Sequence, residues 1–292
     1  MRIAITGAGG FVGRVLARRL SERHEVIALN RAGLDVTDAA AAARLFEGER
    51  PEVVINCAVV GVEACERDPP LGRATNRDGA RNVAAAAARV GAEVLQVSTN
   101  HVFGGRRARA MPYTVEDDPH PPNEYGRTKL AGERAAFEAC PHAYVVRTSW
   151  VFGSGKENFF STVAGRLRAG ERVRAVGDVR ASATYVEDFA ARVEEILSRR
   201  RFATYHAVNR GVCSYREFAR EAARLLGLAD AEAEELIEAA RESEMRRAPR
   251  PRYAPLRCLV SEKLDFAPMR HWRDALADFL RASAINDRRG GG

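Results

Sequence analysis

Short runs of β-branched and aliphatic residues alternate with longer Ala-, Leu- and Arg-rich stretches through the first half of the chain. Arg2 to Thr6, Glu25 to Leu29, Glu52 to Asn56, Glu93 to Ser98 and Ala143 to Thr148 read as strands. Helical patterns fall between them near 11 to 21, 38 to 47, 71 to 91 and 124 to 139, with the Ala runs 39 to 43 and 84 to 88 as strong helix formers. Strands and helices alternating at this spacing predict βαβ units, and hence an α/β fold with a doubly wound parallel sheet.

The pattern loosens after Trp150. A helix is expected near 157 to 169, a short strand from Arg172 to Val176 and a helix from Val186 to about Arg199. A strand from Tyr205 to Val208 and helices near 214 to 226, 230 to 243 and 271 to 283 follow, with Pro249, Pro251 and Pro255 breaking the chain between the last two. The expected division is a doubly wound domain over 1 to 150, with 177 to 203 returning to it. A smaller α/β C-terminal lobe covers 151 to 176 and 204 to 285, and 286 to 292 form a flexible tail.

Composition narrows the class. A chain of 292 residues with 46% hydrophobic residues is that of an ordinary globular protein, which excludes a disulfide miniprotein, a collagen and a disordered tail. No apolar stretch approaches the roughly 20 residues that span a bilayer, and Met1 to Thr6 run straight into a glycine cluster, so neither leader nor membrane partner is expected. Five cysteines, at 57, 65, 140, 213 and 258, are odd in number and lack CxxC spacing, as free thiols in a reducing cytoplasmic location would. The net charge of +7 suits an anionic ligand or an Arg-rich surface. No helix-turn-helix, finger or aromatic-basic stacking surface accompanies it, so no nucleic acid partner is expected. The histidines are scattered and no zinc spacing occurs.

Thr6-Gly7-Ala8-Gly9-Gly10-Phe11-Val12-Gly13 lies between the first strand and the first helix. A glycine turn placed there lets backbone N–H groups and a helix N-terminus approach a pyrophosphate, the arrangement of a Rossmann-like dinucleotide site. Gly7 would make the tight turn, Gly10 admit the phosphates and Gly13 let helix and strand pack closely. Asn30 and Arg31 stand at the end of the second strand, where a carboxylate would bind ribose hydroxyls. A neutral residue beside a cation favours the 2′-phosphate of NADP(H), with NAD(H) as the alternative cofactor. Asp35 and Val36 are candidates for the adenine end, although Asp35 also suits a helix N-cap.

Tyr125 and Lys129 are four apart, on one face of a helix. A free phenol titrates near about 10 and is a poor acid at neutral pH, and a nearby ammonium would lower that value. Thr99 closes the fourth strand, at the carboxyl edge of the sheet where ligands bind.

These residues together resemble the extended short-chain dehydrogenases/reductases, and within them the dTDP-4-dehydrorhamnose reductase family. Ser98-Thr99-Asn100-His101-Val102-Phe103-Gly104-Gly105 is similar to that family's S-T-D-Y-V-F-x-G segment. Pro112-Tyr113-Thr114-Val115-Glu116-Asp117-Asp118 is similar to P-Y-x-E-x-D, with Val115 at its glutamate. Pro122-Asn123-Glu124-Tyr125-Gly126-Arg127-Thr128-Lys129-Leu130-Ala131-Gly132-Glu133 follows P-x-N-x-Y-G-x-T-K-L-A-G-E. Arg147-Thr148-Ser149-Trp150-Val151-Phe152-Gly153, Asn158-Phe159, Thr184 to Ala190, Arg250-Pro251 and Lys263-Leu264 extend the resemblance over most of the chain.

The resemblance implies an NADPH-dependent reductase of a nucleotide-activated 4-keto-deoxysugar. Tyr125 would be its proton donor, Thr99 would hold the same oxygen, and Lys129 would lower the phenol pKa and hold the nicotinamide ribose. It implies cofactor contacts from Phe11, Val12, Cys57, Ala58, Val59 and Asn76, and substrate contacts from Thr99, Asn100, His101, Trp150, Asn158 and Arg250. Asn100 and His101 replace Asp and Tyr of the family pattern. Val179, Ala181 and Ala183 depart from its D-Q-x-G-x-P-T loop, which leaves the sugar and the nucleotide open. Some members bind Mg²⁺ at a dimer interface through a glutamate where this chain has Val15, so no metal site is expected. A homodimer is compatible with this reading. The alternatives are a non-catalytic dinucleotide-binding subunit resembling the regulatory subunit of methionine adenosyltransferase, and a sugar-nucleotide epimerase or dehydratase.

Overall fold

The computed structural model describes residues 1–105, 111–245 and 248–289, with backbone alone over 284–289. The first half follows the hydrophobic pattern closely. Strands β1 (Arg2–Thr6), β2 (Glu25–Leu29), β3 (Val53–Asn56), β4 (Glu93–Thr99) and β5 (Ala143–Thr148) alternate with α1 (Phe11–Leu20), α2 (Ala39–Glu49), α3 (Val62–Arg67), α4 (Pro69–Gly72), α5 (Gly79–Arg89) and α6 (Glu124–Ala139). Helix α3 has no counterpart among the expected elements. The helix expected over 71 to 91 is a run from Pro69 to Arg89 interrupted by a π-helical turn at Arg73–Asp78. Such turns widen a helix where a side chain needs room, and this one carries buried Asn76.

Beyond Trp150 come β6 (Val151–Phe152), α7 (Phe159–Arg168), β7 (Val173–Val176), β8 (Arg180–Ala181), β9 (Thr184–Tyr185), α8 (Val186–Arg199) and β10 (Thr204–His206). They are followed by α9 (Tyr215–Leu226), α10 (Asp230–Leu236), β11 (Ile237–Ala240), α11 (Glu242–Met245), β12 (Tyr253–Ala254), α12 (Leu259–Lys263) and α13 (Trp272–Arg289). The last helix runs through 286–289, where a loose tail is expected, and 290–292 lie outside the described residues.

Six parallel strands form the main sheet in the order β10-β5-β4-β3-β1-β2. Side chains alternate across it. Ile3, Ile5, Val53 and Ile55 join one core with α1 and α8, while Ala4, Val54 and Val94 join a second with α2 and α5. Burial on both faces is what the near-continuous aliphatic strands require. The strand order reverses around β1, so loops after β1, β2, β3 and β4 open along one carboxyl edge, where doubly wound sheets bind ligands.

Two features depart from expectation. Thr204–His206 pairs with Val145, Val146 and Arg147 as the sixth strand of the main sheet, although the expected division places 204 onward in the lobe. Three residues are too few for their own pattern to reveal which sheet edge they extend. The helix expected over 230 to 243 stops at Leu236, and Ile237–Ala240 pairs with Val173–Val176. Burying Ile237 and Ala240 against an open strand outweighs the helix preference of Glu and Ala there. Two further small pairings, β6 with β9 and β8 with β12, join segments that are distant in the chain.

Candidate active site

The loop after β1 turns at Gly7, whose φ is +67° and where an added Cβ would lie 2.6 Å from Ala58 N. At Gly13 a Cβ would meet Gly7 O at 2.4 Å, so strand, turn and helix approach to a distance that no side chain permits. Gly10 N-caps α1 without a side-chain bond, and the first turn carries no acidic residue. The free N–H groups and the positive end of the helix dipole therefore suit an anion. These features fit a dinucleotide pyrophosphate.

From this loop a trough of about 290 Å³ runs between Arg31, Asp35 and Val36 on one side and Cys57, Ala58 and Val59 on the other. Arg31 is paired with Asp35 at 3.3 Å. Hydrogen bonds from the Thr37 backbone and hydroxyl, with Arg31 beside it, hold the Asp35 carboxyl below its ordinary value. Asn30 is turned aside, its Oδ1 accepting from Gly33 N at 2.9 Å, so it shapes the turn after β2 rather than lining the trough.

A cleft of about 520 Å³ adjoins the trough and shares Gly10, Cys57 and Val59 with it. Thr99, Asn100 and His101 reach it from the end of β4, and Tyr125 and Lys129 from α6. Trp150 reaches it from just beyond β5, Asn158 from the start of α7, Arg250 from the segment before β12, and Phe11, Val12 and Gly13 from α1. Residues far apart in the chain thus meet at one place.

Tyr125 and Lys129 do share a face, and burial dominates both. It pushes the Tyr125 phenol up to about 12, while the Thr99 hydroxyl bonded to it and the Arg250 cation pull the other way. Burial also brings Lys129 down to about 8, opposed by the Glu133 carboxylate. The Lys129 Nζ donates to Val97 O at 2.6 Å, and the groups that stabilise the phenolate are Thr99 and Arg250. The result is a phenol held protonated at neutral pH. Burial likewise pushes the Cys57 thiol up to about 12, which makes it a neutral wall.

Other expected residues divide between lining and bracing. Asn76, 1% exposed, accepts from Val60 N at 2.8 Å and donates to Val60 O and Thr128 Oγ1 at 3.0 and 3.1 Å. It fixes the segment that lines the trough instead of lining it, since all of these partners lie in the protein. Asn100 Nδ2 donates to Ala254 O at 3.1 Å, tying β4 to the lobe. Asn158 caps α7 through Ser161 N at 2.9 Å and donates to Val151 O at 2.9 Å. Trp150 stands at φ +42°, rare for a bulky residue, with its ring against Phe160 and Tyr215. It is both a wall of the cleft and part of an aromatic core. Arg250 pairs with Glu63 at 2.6 Å, linking the lobe segment to α3.

Lys156, Thr148 and Ser149 also line the cleft and were missed. The hydroxyls of Thr148 and Ser149 are buried without a partner among the described residues, so a ligand's polar groups would satisfy them. Their place at the end of β5, beside the Arg-Thr-Ser-Trp run, was the available signal. Val15, the position of the metal-binding glutamate in some relatives, lies on the face of α1 that packs into the core. No helix among the described residues is long and apolar enough to cross a membrane.

A glycine turn at the switch point of a parallel sheet, opening into a cleft with a half-buried Tyr and a buried Lys one helical turn apart, defines an oxidoreductase of the extended short-chain dehydrogenase/reductase class. The profile described as RmlD substrate binding domain matches residues 1–285, and the chain belongs to that family. It is 40% identical over 285 residues to the dTDP-4-dehydrorhamnose reductase of Mycolicibacterium smegmatis, covering 96% of this chain and 85% of that protein. The crystal structure of a dTDP-4-dehydrorhamnose reductase from Clostridium acetobutylicum superposes with a TM-score of 0.89 at 34% identity, covering 97% of this chain and all of the other. That of the Bacillus anthracis enzyme in complex with NADP gives a TM-score of 0.90 at 30% identity, covering 96% and 99%.

Proposed function

We propose that the chain is an NADPH-dependent reductase of a nucleotide-activated 4-keto-deoxysugar, dTDP-linked as in its relatives. The observation that carries this reading is the meeting of Thr99, Tyr125 and Lys129 in a cleft continuous with the glycine-lined trough. When bound, the dinucleotide supplies a hydride for the keto carbon. The phenol of Tyr125 gives its proton to the keto oxygen as that charge develops, and Thr99 bonds the same oxygen. Lys129, held at Val97 O, orients toward the ribose and keeps a cation near the phenolate left behind.

Arg31 at the mouth of the trough supports NADP(H) over NAD(H), because its guanidinium matches a 2′-phosphate. The cofactor unit comprises 1 to 150 with 177 to 203, extended to the strand at 204 to 206. The remaining segments form the substrate lobe. The test is direct: purified protein should oxidise NADPH with dTDP-4-keto-6-deoxysugar and produce the reduced sugar nucleotide. Protein isolated with a near-stoichiometric, non-dissociating NAD and inert toward added NADPH would overturn the reading.

A further inference from the structure

Asn123 is 1% exposed and forms the N-cap of α6, two residues before Tyr125. Its Oδ1 accepts from Gly126 N at 2.7 Å. Its Nδ2 lies 2.7 Å from Pro249 O and 2.9 Å from His101 Nδ1. A backbone N–H only donates and a backbone carbonyl only accepts, so these two partners allow the amide one orientation. Its Nδ2 hydrogens then face Pro249 O and His101 Nδ1, and Nδ1 must present a lone pair. In the neutral ring the proton is on Nε2.

The consequences converge on the site. The His101 ring stands edge-on to the Tyr125 ring, with centroids 5.4 Å apart at 80°. The backbone N of His101 donates to Thr99 Oγ1 at 3.2 Å. Arg250, next to Pro249, is one of the groups that draw the Tyr125 phenol down. One amide therefore joins the segment carrying the phenol, the turn carrying its hydroxyl partner and the segment carrying its cation.

We propose that Asn123 is a positioning residue, whose amide locks His101 as the Nε2–H tautomer and holds the Tyr125 and Arg250 segments in register. Any hydrogen bond that the His101 ring makes at its other nitrogen is then made as a donor, which selects a lone-pair oxygen as its partner. The kinetic consequence rests on the reductase reading, whereas the tautomer does not. Nitrogen-15 NMR of histidine-labelled full-length protein, assigned with His101→Gln, should show His101 with a bare Nδ1 and a protonated Nε2.

Asn123→Asp keeps an acceptor for Gly126 N and exchanges the donor for a second acceptor. The His101 signal should move to a protonated Nδ1, and kcat should fall about ten- to a hundred-fold through misplacement of the reacting groups. NADPH affinity and KM should change less than threefold, a split that general loss of structure would not give. If the Asp variant does not fold, Asn123→Ser, which also caps, replaces it. A protonated Nδ1 in the unaltered chain, or a variant with unchanged ring signals and kcat, would overturn the proposal. An unaltered chain with the Nε2–H ring but no turnover would instead overturn the reductase reading.

Discussion

At the outer end of the trough Arg31, 81% exposed, pairs with Asp35 in water. At the inner end Lys129 is 3% exposed, and burial governs its charge and that of the Tyr125 phenol. Both ends carry a cation, yet the surroundings differ in dielectric response. In water an exposed pair is screened and contributes little. Inside, each missing partner or misplaced dipole is felt in full. Under the proposed function, the same residue chemistry would tune affinity at one end and reactivity at the other.

The sharpest way to break this contrast is at the phenol. Tyr125→Phe removes a hydroxyl while keeping the ring, and kcat should fall by about 10²- to 10⁴-fold, the usual contribution of a positioned general acid. NADPH binding, followed by fluorescence, should be nearly unchanged. A variant that retains wild-type turnover would remove Tyr125 from the chemistry.

The next effect concerns the ammonium. Lys129, brought down to about 8, is charged below that pH and neutral above it. The rate should thus fall as pH rises through about 8, approaching tenfold per pH unit on the alkaline limb. Tyr125, raised to about 12, stays protonated throughout and adds no limb in that window. A log kcat/KM profile that stays flat to pH 10 would show that the Lys129 charge is not needed.

The smallest effect belongs to the exposed end. Arg31→Ala should weaken NADPH by about tenfold or less and leave NADH unchanged, with the difference shrinking as salt is added. An equal loss for both cofactors would mean that Arg31 serves the shared pyrophosphate or the fold rather than the 2′-phosphate.

How far the sequence could be read varies along the chain for physical reasons. β1 to β5 and α6 were legible because burial on both faces of a sheet, or on one face of a helix, imposes a period that neighbouring residues display. Gly7 and Gly13 were legible because a turn at that place tolerates no Cβ. The Tyr125 and Lys129 spacing was legible as one helical turn. Ile237–Ala240 was read as helix because its Glu and Ala residues favour one locally, and only the open edge of β7 makes it a strand. Asn76 and Asn30 stood at positions suited to a ligand, but their amides are committed to the protein, which no pattern along the chain reveals.

The sequence by itself determined the parallel sheet, the glycine turn and the one-turn spacing of Tyr125 and Lys129, since each depends on local periodicity or fixed spacing. Tertiary structure alone decided how those groups are charged. The Tyr125 phenol is raised by burial and drawn down by Thr99 and Arg250, while Lys129 is turned to Val97 O. The His101 ring is oriented through Asn123 by a carbonyl 126 residues beyond that asparagine. Charge and tautomer follow from which atoms surround a group in space, and the chain brings those atoms together only when it folds.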